Sequence, residues 1–323
     1  MLENILKNKQ GFKLVCGAGN EDIKEVEKLV TIYALAGCKF IDICAKNEIL
    51  DIAKKALKKI KKENEVAICV SVGIAGDPHI SKAKINNEKC INCKKCINIC
   101  PHNAIENKKN VKINKKRCLG CTQCINECSK NAIEMTTEIK DYKEFLPELI
   151  EKGISCIEFH AISEDEKNVE EKWIEINELF DGLLCISLDR SELGDKKLIK
   201  RVKKLIEKRE PYTTIIQADG VAMSGNNDEL GTTLQAVATA QLFQNAKLPV
   251  YIMMSGGTNT KSTELAKNCG VLPHCLAVGS YARKIVKDYL LMDDLLQNEK
   301  SLNEAVKIAK ELIDISLENM RND

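Results

Sequence analysis

Eight short apolar runs recur along the chain, each followed by a helix-periodic segment, and this alternation restricts the fold more than any other feature. The runs are FKLVCG (12–17), KFIDICA (39–45), VAICVSV (66–72), SCIEFHAI (155–162), LLCISLD (183–189), YTTIIQAD (212–219), PVYIMMSGG (249–257) and CLAVGS (275–280). Near-continuous apolar strands separated by amphipathic helices are the pattern of a parallel sheet covered on both faces. An open doubly wound sheet has the same pattern. Eight units close naturally, however, and CGAGN after the first strand lacks the third glycine of a dinucleotide turn. The expected fold is α/β, a TIM-type (β/α)8 barrel.

The alternation is broken once, after the third run. CINCKKCINICPHNAI is followed by a near-copy, CLGCTQCINECSKNAI, with Cys90, Cys93, Cys96 and Cys100 mapping onto Cys118, Cys121, Cys124 and Cys128. Each copy is C-x2-C-x2-C-x3-C, the spacing of bacterial ferredoxins. Three cysteines at two-residue intervals wrap the backbone round one cluster, and the fourth points away to complete the other. Cys90, Cys93, Cys96 and Cys128 are therefore expected to hold the first [4Fe–4S] cluster. Cys118, Cys121, Cys124 and Cys100 are expected to hold the second. Pro101 follows the fourth cysteine of the first copy as the pattern asks, whereas Ser129 replaces it in the second. Four-cysteine zinc sites also use C-x2-C pairs, but three equally spaced cysteines and a crossed fourth do not suit them.

The expected organisation is residues 1–76 and 138–323 as the two parts of the barrel, and 77–137 as a ferredoxin-like insertion after strand 3. A loop that follows a strand belongs to the C-terminal face, where barrel enzymes keep their active sites. An electron carrier inserted there stands over the barrel mouth.

Residues two apart in a strand share a face. Asp42 with Cys44, Glu158 with His160, Ser187 with Asp189 and Gln217 with Asp219 are thus expected to converge near the mouth. Glu158, His160, Asp189 and Asp219 are the candidate catalytic groups. Asp and Ser at strand ends also cap helices, and that reading stays open beside the functional one. The glycine loops SGGTN (255–259) and VGSYAR (278–283) lie where such barrels bind phosphate. Gly256, Gly257, Gly279, Ser280 and Arg283 are expected to hold FMN or another phosphorylated ligand. QADGVAMSGNNDELGTT (217–233) reads as a loop over the mouth.

Charge is balanced, with 49 basic against 47 acidic side chains and no basic half, which argues against nucleic acid as a partner. MLENILKNKQ lacks the apolar core of a signal peptide, and no apolar run reaches membrane length. A soluble, cytoplasmic protein without a membrane partner is expected. In a reducing compartment the sixteen cysteines are not a disulfide framework. Of the eight outside the duplication, Cys16 and Cys44 lie near strand ends, and all eight read as small core hydrophobes. Lys89, Lys94, Lys95, Lys115 and Lys116 flank the cysteine runs and suit an acidic electron donor, or simply a solvated loop.

With these segments placed, the chain resembles the light-dependent period family. KLVCGAGNEDIKEVEKLVTIYALAGCKFIDICA (13–45), the cysteine runs, QADGVAMSGNNDELGTT, SGGTN and VGSYAR carry the likeness. The resemblance implies an iron–sulfur protein that senses redox state and passes the signal to a protein partner. It brings the eight cluster cysteines with it. Asp219, Gly220, Ser224, Gly225, Gly256, Gly257, Gly279 and Ser280 match its motifs without an assigned role. Two functions are therefore open. One is a redox protein for electron transfer or sensing, with a protein as electron donor or acceptor. The other is a barrel oxidoreductase fed by its own insert.

Overall fold

The computed structural model describes residues 1–75, 77–107, 109–138, 140–220 and 229–320, and only the backbone of Asp189, Ser191, Glu192 and Glu229. Eight parallel strands close into a barrel: β1 (Gly11–Val15), β2 (Phe40–Cys44), β3 (Ala67–Gly73), β8 (Cys156–His160), β9 (Leu183–Asp189), β10 (Thr214–Asp219), β11 (Tyr251–Ser255) and β12 (Cys275–Val278). The remaining four, β4 (Lys82–Ile85), β5 (Ile105–Asn107), β6 (Val111–Ile113) and β7 (Ile133–Thr136), form two antiparallel pairs between β3 and β8. They are the insertion. The alternation in the sequence thus produces the closed barrel it implies, with the break where the cysteine runs lie.

Strand parity divides each barrel strand between two environments. Ile41, Ile43, Ile157, Phe159, Ile186 and Ile216 point outward and pack beneath the helices in the larger core. Phe40, Ala67, Cys69, Cys156, Cys185, Ile215, Tyr251, Met253 and Cys275 point inward and fill the lower barrel, closed below by Leu2 and Leu6 of the helix Leu2–Lys7. Further along the same inward parity the residues become polar. Register sets this layer: Ser71 lies beside Glu158, His160 beside Ser187, and Ser187 beside Gln217. The mouth is polar because the residues near the strand ends are, and the parallel pairing brings them to one level.

Cys69, Cys156, Cys185 and Cys275 pack in the barrel interior as small apolar side chains, as expected. Cys16 and Cys44 are buried too, and burial pushes the Cys44 thiol up to about 12, which keeps it protonated at neutral pH. Cys269 departs from the expectation: it sits exposed at the end of the helix Ser262–Asn268, outside the core. Among the described residues no helix is long and apolar enough to cross a membrane.

The insertion has a small core of its own, with Ala83, Ala104, Ile105, Val111 and Ile133. Its second half docks on the loop after β1. The Glu21 amide donates to Lys116 O at 2.8 Å, Arg117 pairs with Asp22 at 2.5 Å, and Lys82 donates to the carbonyls of Gly19 and Cys118.

A candidate redox site between the insertion and the barrel mouth

The sixteen cysteines form no disulfides, and eight of them line two hollows in the insertion. Cys90, Cys93, Cys96 and Cys128 surround one; Cys100, Cys118, Cys121 and Cys124 surround the other. The fourth cysteine of each run therefore reaches across to the opposite group. The backbone explains how so short a loop presents three thiols inward. Asn92 and Lys94 adopt left-handed φ values of 55° and 64° in the first half, and Gly120 and Thr122 repeat them at 75° and 60° in the second. Asn103 and Asn131, of the two NAI motifs, form another such pair, at 48° and 46°. Non-glycine residues seldom adopt this conformation, so its recurrence at matching positions marks a wrapped backbone. Amides then face the sulfurs. Ala104 N–H donates to Cys100 Sγ, Ala132 N–H to Cys128 Sγ and Ala83 N–H to Cys118 Sγ, each at 3.3 Å. Thiols grouped in fours, with amide donors to the sulfur, fit cubane iron–sulfur clusters, whose potentials such bonds tune.

The second hollow abuts a larger space. A cavity of about 650 Å³ lies between the insertion and the barrel mouth. His102 and Leu119 line both the cavity and the hollow of Cys100, Cys118, Cys121 and Cys124. One layer of side chains separates the two.

The cavity floor is the polar layer of the barrel. Lys13, fully buried, is paired with Glu158, lies 3.8 Å from Asp42 and donates to Gln217 at 3.4 Å. Gln217 donates to Glu158 at 3.1 Å and to Asp219 at 3.3 Å, Ser187 donates to Asp219 at 2.5 Å, and Ser71 donates to Asp42 at 2.6 Å. His160 lies between two carboxylates, with Nε2 3.1 Å from Glu158 and Nδ1 2.8 Å from Asp77. Burial alone would discharge Lys13, but the Glu158 and Asp42 carboxylates outweigh it and raise the pKa of the ammonium. Glu158 shows the converse: burial opposes its charge, and Lys13 with His160 overcomes it and holds the carboxyl well below the usual range. Burial dominates at Asp42 and Asp219, and both are pushed up to about 6. Asp42 Oδ2 accepts no hydrogen bond among the described residues.

The structure thus brings Glu158, His160 and Asp219 together at the cavity floor, with Asp42, Ser187 and Gln217 beside them. The side chain of Asp189, and residues Ser224 and Gly225 with the rest of 221–228, lie outside the described residues. Cys44 shares the parity of Asp42 but does not line the cavity. Three participants went unnoticed in the sequence. Lys13 could have been found as a charged residue in the middle of an apolar strand. Asp77 and His79 sit in DPH, in the loop a few residues past the end of β3, which reads as an ordinary turn.

The glycine loops line the cavity, but their glycines answer a packing demand. Gly256 and Gly257 have φ values of 66° and 77°. A Cβ at Gly256 would come 2.8 Å from the Gly220 amide, and one at Gly257 would strike Thr232. These residues let the loop after β11 meet Gly220 after β10 and the first turn of the helix Glu229–Ala246. Arg283, expected to add charge for a phosphate, is held by Glu25 at 2.8 Å and by the Cys16 carbonyl at 2.7 Å. The short helices Ser262–Asn268 and Ser280–Ile285 that follow these loops add little directed dipole.

Comparison with known proteins follows the same division. The family described as the light dependent period A C-terminal domain matches residues 148–315, and a 4Fe–4S dicluster domain matches residues 83–135. The dicluster domain implies two [4Fe–4S] clusters. The chain is 26% identical over 333 residues to Light dependent period A of Synechococcus elongatus, covering 90% of this chain and 84% of that protein. Similar solved structures include tryptophan synthase subunit alpha from Legionella pneumophila, at 8% identity and a TM-score of 0.49, covering 98% of this chain and 97% of that one. The carboxyl transferase domain of Rhizobium etli pyruvate carboxylase is similar at 10% identity and a TM-score of 0.46, covering 99% of this chain and 50% of that one. Likeness at that level says nothing about chemistry.

Proposed function

This chain belongs to the light dependent period A family and carries a 4Fe–4S dicluster domain, and from that premise we propose that it is an iron–sulfur electron-transfer protein linking a protein partner to a ligand in the barrel cavity. Cys90, Cys93, Cys96 and Cys128 hold the outer cluster in this reading, and Cys118, Cys121, Cys124 and Cys100 the inner one. When bound, the clusters supply reversible one-electron chemistry. The single observation that carries the proposal is the shared wall: His102 and Leu119 line both the inner hollow and the cavity.

The chain's own residues divide the work. Cys93 and Ile91 are exposed at the outer hollow, with Lys94, Lys95 and Lys130 around it. A cationic rim of that kind favours an acidic redox partner and raises its encounter rate. At the inner end Leu119 and His102 seal the cavity from the hollow. Lys13, Glu158 and Gln217 fix the floor, so a bound ligand meets preset charges that need no reorganisation. Gly256, Gly257, Gly279 and Ser280 line the same cavity, but packing already accounts for the first two, so a phosphorylated ligand is one class among those to screen there.

A second reading keeps the clusters and omits turnover: the protein senses redox state and reports it to a partner. The family resemblance supports it, and the charged cavity favours the first. Extraction of small molecules from protein purified without oxygen separates them. A reducible ligand that leaves with the cavity, and is reduced by dithionite only in protein with intact clusters, is the expected result. Iron and sulfide with no ligand, and none bound from a panel of phosphorylated compounds, would favour sensing.

A further inference from the structure

The loop that leaves β3 for the insertion places a second kind of donor set at the edge of the cavity. Asp77 caps the short 3-10 turn Pro78–Ile80, where its Oδ1 accepts the His79 amide at 2.9 Å. The same oxygen lies 2.9 Å from His79 Nδ1, and Asp77 Oδ2 lies 2.8 Å from Nδ1 of His160 on β8. One ligand atom from each of Asp77, His79 and His160 falls within 4.8 Å of the others. The two rings meet edge to face, 4.7 Å apart.

We propose that Asp77, His79 and His160 bind one divalent first-row transition ion, separate from the cysteine sites. Donor chemistry, spacing and surroundings all point to such an ion. Two imidazoles and one carboxylate form a donor set that suits zinc, iron(II) or manganese(II). The 2.8–2.9 Å from the two Asp77 oxygens to the two Nδ1 atoms match the cis spacing of an octahedral ion with bonds of about 2.0–2.1 Å, as for iron(II) or manganese(II), and a tetrahedral zinc would spread them to about 3.3 Å. The surroundings of His160 suit a ligand as well. Its Nε2 faces Glu158 Oε1 at 3.1 Å, and Glu158 is itself fixed by Lys13 and by Gln217. A ligating histidine almost always gives its other N–H to a carboxylate, which sets the tautomer and leaves the first nitrogen free to bind. Glu158 does that for Nδ1 of His160.

The neighbourhood favours a dication. Asp77, Glu158, Asp42 and Asp219 are four buried carboxylates, and Lys13 is the buried lysine among them. Access is provided as well, since His79 and His160 both line the cavity and the His79 side chain is 24% exposed. The inference does not depend on turnover in the barrel, and an inert protein could hold the ion equally well.

The test is a full metal inventory on holoprotein purified without oxygen, with sulfide measured in the same sample so that cluster iron can be subtracted. The protein is analysed as purified, and again after incubation with excess Zn2+ or Mn2+ and desalting. One equivalent of a divalent ion beyond the iron that matches sulfide is expected. Asp77→Asn, His79→Gln and His160→Gln should each lower retention at least tenfold with iron and sulfide unchanged. His274→Gln, at a half-buried histidine that accepts the Ile252 amide on the far side of the barrel from the insertion, should retain the ion and controls for general loss of structure. If wild-type protein retains no such ion under either condition, the assignment fails. It fails equally if all three variants keep the ion at the wild-type level.

Discussion

The two halves of the duplication share a spacing and a backbone, yet they sit in different surroundings. Around the first half Cys93 and Ile91 face solvent, and Asn92 occupies the left-handed position that Gly120 takes in the second. In the second half Cys118 and Cys124 are buried, and a Cβ on Gly120 would run into the Pro78 carbonyl. Leu119 reaches toward Gly17 in the loop after β1. Repetition thus supplied two equal cradles, and docking on the barrel made them unequal. One faces solvent and the other forms a wall of the cavity.

The largest effect should come from the crossed cysteines. Cys100→Ala is expected to remove the inner cluster, and Cys128→Ala the outer one. Each would leave about half of the iron, four of roughly eight. Separate spectral signatures for the two losses would sharpen the difference between the halves. Loss of the outer cluster on Cys100→Ala would reverse the assignment.

The seal over the cavity should be visible in the pH dependence of stability. Burial raises the Asp219 carboxyl from 3.8 to about 6. A carboxyl raised on folding contributes its stability below the unfolded pKa and loses it as pH rises through the folded one. Wild-type protein should therefore lose about 2 kcal/mol between pH 4 and pH 6.5 relative to Asp219→Asn. Denaturant titrations of the two proteins across that range measure the gap. Parallel curves would mean that water reaches the floor.

Backbone substitutions at matched positions should come next. Gly120→Ala forces a side chain against a carbonyl at a φ of 75° and should cost about 2 kcal/mol, with partial loss of the inner cluster. Asn92→Gly, its counterpart in the first half, should stay within about 1 kcal/mol of wild type. Equal costs in thermal melts would show that the halves do not differ in docking.

The smallest expected effect is kinetic. Lys94→Glu with Lys95→Glu should slow reduction by an acidic ferredoxin or flavodoxin about threefold to tenfold at low salt, with the difference vanishing near 0.5 M. Lys116→Glu, beside the docked half, should change the rate less. A stronger effect at Lys116 would move the port to the other side of the insertion.

Much of this fold was legible because it rests on local pattern. The eight apolar runs fixed the strands, and the cysteine spacing fixed both the insertion and the crossed groups. Parity placed Glu158, His160 and Asp219 at one level because parallel register carries that level round the barrel. The rest depends on contacts that local pattern does not encode. Lys13 reads as a misplaced charge until Glu158, 145 residues away, is seen beside it. Asp77 and His79 gain meaning only when β8 brings His160 to them. The glycines of SGGTN match a phosphate-binding pattern, but Gly220 and Thr232 supply a steric reason for them that no reading of one segment could find.

The central claim is that one cluster site, and not the other, belongs to the barrel cavity. Arg283 lines that cavity and is close enough to His102 to depress the charge of the imidazole, after burial has done most of that. The most direct measurement is a redox titration followed by electron paramagnetic resonance, on wild-type protein and on Arg283→Gln. Removing a cation disfavours the added electron. One of the two reduction steps should therefore move to lower potential, by on the order of tens of millivolts, while the other stays in place. Two steps that move together, or that both stay fixed, would contradict the account.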